Sequence, residues 1–137
     1  MTAPAAVNAG SPGRSILAVF SAFVVVFVLS LGTDQVLHVL NVYPPWGQPM
    51  WDNGLNALAL SYRVVFGVVG GWIAARLAPR NPVKHAIIVG AIGTVLSALG
   101  AVGGIMMKMG PAWYPILLAV SSLPTAWWGG TLYRPKA

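Results

Sequence analysis

Four stretches of this 137-residue chain are long, apolar and almost free of charge: residues 15–40, 55–77, 86–107 and 113–133. A helix needs about 20 apolar residues to cross the ~30 Å hydrocarbon core of a bilayer. At ~1.5 Å per residue the shortest of the four spans roughly 32 Å, so each is long enough to cross. Composition narrows the choice further, because 57% of the residues are hydrophobic and only 7% are charged. An ordinary soluble domain carries about 25% charged residues. The expected fold class is all-α, an integral membrane four-helix bundle.

The segments between the stretches carry strong stop signals. NVYPPWGQPMWDNG holds three prolines and two glycines, APRNPVKH holds two prolines, and KMGP is shorter still. None can continue a helix. Connections this short make sequential helices antiparallel neighbours. Residues 1–14, small and rich in Pro and Gly, read as a disordered cytoplasmic tail, and 134–137 as a second short tail. Arg14 followed by an apolar run has the layout of a signal peptide. The run is long for a signal, however, and LGTDQVLH offers no clear small-x-small cleavage site, so the first helix is expected to be retained.

Eight Lys/Arg stand against two Asp/Glu. Such an excess could indicate a nucleic-acid partner, but the positions argue otherwise. Arg14, Arg76, Arg80, Lys84, Arg134 and Lys136 all fall on one side of a four-helix chain, while the other side has only Lys108. Positive charge collects on the cytoplasmic side of short loops. Both termini are therefore expected in the cytoplasm, in a membrane of the bacterial cytoplasmic type, with no nucleic acid bound. Trp46, Trp51 and Trp113 would sit at the outer boundary, and Trp127, Trp128 and Tyr133 near the inner one, as aromatic belts do.

Arg63 is the base left over. It lies eight residues inside the second stretch, about 12 Å below the outer boundary. An unpaired charge there costs at least ~2–3 kcal/mol. Asp34 lies six residues before the end of the first stretch, about 9 Å below the same boundary. Matching depths on neighbouring helices point to an Asp34–Arg63 contact, with outward snorkelling of Arg63 as the alternative. His38 follows Asp34 by one turn, Asn56 precedes Arg63 on the same face, and Tyr62 adjoins it. Asp34, His38, Asn56, Tyr62 and Arg63 are thus the candidate binding residues of an outward-opening polar cluster. Such a cluster can be a proton-titrating or anion-binding pocket, or simply polar glue between helices.

Other chemistries find little material. The chain has no Cys, which removes disulfides and thiol redox mechanisms, including those of four-helix membrane oxidoreductases. Asp34 and His38 supply at most two metal ligands, and His85 lies at the opposite end, so neither metal nor haem nor any other cofactor is expected. No P-loop, nucleophile elbow or zinc-protease helix is present, and no enzyme activity is expected. Two stripes of small residues, Gly67 with Gly71 and Gly93 with Ser97, Gly100 and Gly104, suit close helix packing within the chain and also allow a homodimer. Pro124 is expected to kink the fourth helix, with Ser121, Ser122 or Thr125 satisfying the freed backbone.

In length, helix number and glycine-rich packing the chain resembles the small multidrug resistance transporters. The resemblance implies a dimer with an essential acid in its first helix, and Asp34 is the position that matches. It departs in being an Asp near the outer end of the helix instead of a Glu deep within it, and the rest of the chain carries no motif of that family. Two functions remain open. One is a structural or accessory membrane protein whose outer cluster holds the first two helices together. The other is a small transporter or ligand- or proton-binding protein that uses the Asp34/Arg63 pair.

Overall fold

A computed structural model of the protein describes residues 12–45 and 47–133. The expectations for residues 1–11, for Trp46 and for 134–137, with Arg134 and Lys136, lie outside the described residues. Four helices account for most of the rest: α1 (Pro12–Val39), α2 (Asn53–Leu77), α3 (Pro82–Met106) and α4 (Trp113–Leu132). The first three are long and apolar enough to cross a membrane. α4 has 20 residues and runs on through Pro124, with Ser121, Ser122 and Thr125 breaking its apolar sequence but not the helix.

Three helices start earlier than the apolar runs suggest, α2 by two residues at Asn53 and the other two each on a proline. α1 opens at Pro12, so residues 12–14 belong to the helix and not to a tail, and α3 opens at Pro82 instead of residue 86. Proline's fixed φ and missing N–H suit the first turn, where no intrahelical acceptor waits. The charge of Arg14 or Lys84 in that turn interrupts the apolar pattern without interrupting the helix. α2 opens on Asp52, whose Oδ1 accepts from the Leu55 N–H at 3.0 Å, a side-chain N-cap. Left-handed backbone at Asn41, Asn81 and Lys108 turns the chain at three helix boundaries.

The interior is built from small residues. Ala18, Ala22, Ala59, Ala74, Ala75, Ala86 and Ala126 are buried, while Phe20, Phe27, Leu99 and Val102 each expose more than half of their surface. In water this arrangement would leave a large apolar surface unpaid for; against lipid tails it carries no penalty. Close approach replaces the hydrophobic drive, and it is tightest between α2 and α4. A Cβ placed on Gly71 would run into the Ala126 carbonyl, and one on Gly129 into the Val68 carbonyl. Gly67 meets Thr125 in the same interface, so the Gly67/Gly71 stripe is taken up within the chain. On α3, a Cβ on Gly93 would face Ser122, whereas one on Gly100 or Gly104 would meet nothing within 4 Å among the described residues of the other elements.

α4 packs against α2 and α3, and α1 packs chiefly against α2. α1 touches α3 only sparingly, and among the described residues no Cα of α1 comes within 8 Å of α4. Ser15 on α1 and the buried His85 on α3 are joined Oγ to Nε2 at 2.9 Å, and His85 Nδ1 meets the Asn81 carbonyl at 3.0 Å. His85 is thereby engaged in packing two helix starts together.

Candidate functional site

Asp34, Tyr62 and Arg63 come together where α1 crosses α2. Asp34 is 7% exposed. Its Oδ2 is paired with Arg63 Nη2 and its Oδ1 accepts from the Tyr62 hydroxyl. Arg63 also directs Nη1 at the Tyr62 oxygen, 3.3 Å away. Because the Tyr62 hydrogen points at Asp34, the 2.9 Å contact between the Tyr43 and Tyr62 hydroxyls has Tyr43 as donor. The four groups form one closed sequence of donors and acceptors, Tyr43 to Tyr62 to Asp34, with Arg63 bracketing both acceptors.

The local reasons are geometric. Positions 34 and 38 share a face of α1, and that face meets the turn of α2 bearing Tyr62 and Arg63. α2 begins at Asn53, which sets Arg63 about 15 Å below its start at ~1.5 Å per residue. A guanidinium at that depth needs a partner, and a carboxylate is the one that leaves no net charge.

Asn56 does not join this cluster. It is 3% exposed and donates Nδ2 to the carbonyls of Met50, 3.0 Å away, and Asp52, 2.9 Å away. Although it shares a helix face with Arg63, seven residues separate the two by about 10 Å along the axis, out of side-chain reach. Its work is to hold the connection between α1 and α2. That connection is tied further by Met50 N–H donating to the Met109 carbonyl at 2.7 Å, and Trp113 Nε1 donates to Asn53 Oδ1 at 2.8 Å. His38 stands beside the cluster, its ring edge-on to Tyr43 with centroids 5.4 Å apart.

Tyr43 and Tyr114 are the members that sequence reasoning missed. Tyr43 comes from the connection and is buried, and Tyr114 comes from the first turn of α4 and faces Arg63. The available signal was that each is a tyrosine directly before a proline at an outer helix boundary. Burial raises the Tyr43 hydroxyl above its ordinary value of 10.0, against the opposing pull of its bond with Tyr62.

Two cavities adjoin the cluster. The outer one, of about 210 Å³, is lined by Asp34, His38, Tyr43, Gln48, Arg63 and Tyr114 among others. The inner one, of about 410 Å³, lies among the helices and is mainly apolar, with Ser30, Ser97, Ser121, Ser122 and Thr125 as its uncharged polar residues. Arg63 lines both. Around Pro124 the three hydroxyls are already donors: Ser121 and Ser122 to the Leu118 carbonyl at 3.1 and 2.9 Å, and Thr125 to Ser121 at 2.8 Å. None of these bonds goes to Val120, the carbonyl that Pro124 leaves without its helical donor. Comparison of the chain with protein-family models, curated proteins and solved structures finds no match.

Proposed function

We propose that the protein is a small structural or accessory component of a bacterial cytoplasmic membrane, with four antiparallel spanning helices and both termini in the cytoplasm. Its outer polar cluster fastens α1 to α2. The observation that carries this reading is the saturation of Asp34: both carboxylate oxygens are held by donors from α2, Arg63 and Tyr62. Polar groups that complete one another across two helices are the glue that lipid-embedded packing requires. α4 joins as the fourth span because its 20 residues cover about 30 Å and its hydroxyls are bonded to its own backbone. Orientation follows from the cytoplasmic bias of Arg14, Arg76, Arg80 and Lys84.

Charge reversal tests the fastening. Asp34→Arg and Arg63→Asp alone should each reduce the folded, detergent-extracted protein, and the two together should restore its yield and melting temperature. A double variant no better than the singles would overturn the reading. Because the chain has no Cys, single cysteines report orientation directly. Gln48→Cys should react with a membrane-impermeant thiol reagent in intact cells, and Lys84→Cys only after permeabilisation.

A second reading, a small transporter or ligand- or proton-binding protein, is favoured by one observation: Arg63 borders both cavities, so the ion pair is the partition between them. Neutralising the pair with Asp34→Asn and Arg63→Gln separates the two. Under the first reading, pairing of the two amides keeps the variant better folded than the single variants predict. Under the second, pH-dependent binding or transport disappears while folding survives.

A further inference from the structure

The inner cavity has a chemistry that fastening α1 to α2 does not use. At about 410 Å³ it falls within the ~300–1,000 Å³ range of small-molecule sites. α2 forms its back, α4 one wall, and α1 and α3 its rims. The Ser15–His85 bond holds the two rims together at their first turns. Further along, Phe27 and Leu31 on one rim and Leu96 on the other are exposed. Access therefore runs sideways from the lipid near the middle of the helices, because the ion pair and the outer connection cover the outward end.

The α4 wall is selective in a simple way. Ser121, Ser122 and Thr125 have each given their hydroxyl hydrogen to a carbonyl of their own helix. Their oxygens keep lone pairs, so this wall accepts hydrogen bonds and does not offer them. Arg63, at the outer end, has only donors, and its charge is matched by Asp34. A carboxylate or phosphate head would bring a second anion toward Asp34. A quaternary ammonium would bring a second cation toward Arg63 and has no hydrogen for the serines. The Ser30 and Ser97 hydroxyls on the two rims can donate or accept, so a head that donates, accepts and carries no charge suits every polar group that lines the cavity.

We propose that the cavity between α1 and α3 binds an uncharged single-chain amphiphile with a hydroxyl head, drawn laterally from the bilayer. Its chain lies along Phe23, Val26 and Val89, and its head reaches the hydroxyls of α4. This goes beyond the fastening role and does not depend on it.

Photolabelling of the full chain in lipid nanodiscs, using a long-chain alcohol with a diazirine in its tail, tests the assignment. Adducts should concentrate in residues 23–31 and 89–97, and excess plain long-chain alcohol should reduce them about tenfold. The same chain ending in a carboxylate or a trimethylammonium should label these segments several-fold less. Ser97→Leu fills the cavity and should abolish the labelling, whereas Leu99→Phe, on the exposed side of α3, should not. Gly93→Leu is the second filling variant, since a Cβ there meets Ser122 no closer than 3.6 Å and the backbone can stay in place. Labelling spread evenly over Val95, Leu99 and Val102, or unchanged in a normally eluting Ser97→Leu protein, would overturn the proposal. Equal labelling by the charged analogues would overturn it too. So would spontaneous disulfide formation between copies of Ser97→Cys, which would put a second chain on the rim.

Discussion

Taking the charge from Arg63 alone strands a carboxylate that is 7% exposed and leaves it one donor, Tyr62. Breaking a buried pair from one side costs about 3–5 kcal/mol, of which a lost charge-assisted hydrogen bond accounts for ~1.5–3 kcal/mol. The Arg63 side chain retains 20% exposure, which favours the lower end, so Arg63→Gln should cost about 3 kcal/mol. Asp34→Asn strands the guanidinium instead and should cost a similar amount. Once one charge is gone, removing the other strands nothing further. The double variant should therefore also stand near 3 kcal/mol, about half of the additive expectation, a coupling of roughly 3 kcal/mol. Equilibrium unfolding by SDS titration in mixed micelles measures all four proteins, with the chain's six tryptophans as the fluorescent probe. Additive single losses, with a coupling below ~0.5 kcal/mol, would refute the claim that the two charges exist for one another.

Three further outcomes follow from other parts of the molecule. Gly129→Ala should destabilise by about 1–3 kcal/mol in the same titration, because its Cβ would meet the Val68 carbonyl on the facing backbone; Gly100→Ala, with nothing within 4 Å, should be neutral or slightly stabilising. Asn56→Ala leaves the Met50 carbonyl without its donor, while the Asp52 carbonyl keeps the backbone N–H of residue 56, and should cost about 1–3 kcal/mol. Asn56→Asp, which also sets a carboxylate against both carbonyls, should be worse, with faster proteolysis between Tyr43 and Trp51 as a second readout. Because burial raises the Tyr43 hydroxyl, the folded state holds this proton more tightly than the unfolded chain. Stability from that source is complete below the ordinary value of 10.0 and falls as pH rises through the raised one. Melting curves above that pH should fall less steeply for Tyr43→Phe, which faces the same Asp34, Tyr62, Arg63 and His38.

Much of the helical architecture is written in the apolar runs, because length and hydrophobicity almost alone mark a helix able to cross a bilayer. Counting residues from a helix end gives depth, and depth is what singled out Asp34 and Arg63. The same counting misleads for Asn56, where a shared helix face hides a long axial separation. Tyr43 and Tyr114 escape it because one belongs to an irregular connection and the other to α4, whose rotation no periodicity reveals. The small-residue stripes mark close packing without naming the partner: α4 takes Gly67 and Gly71, while the outer glycines of α3 meet nothing. The inner cavity was beyond reach, since it exists only because α1 leans on α2 and stays apart from α4.

The hydrogen bond from Met50 to the Met109 carbonyl bears on how the chain is assembled. The connection after α1 emerges from the ribosome long before Met109 does. Under the proposed membrane topology, a first helical hairpin would be inserted while its outer cap is still unfinished. Only when α3 has followed does the missing acceptor arrive, and Met50, Asn56 and the shelter above Asp34 settle together. Under that topology the charge pair would pass through an interval with its roof open, in which a truncated nascent chain would be the species most open to proteases on the outer side.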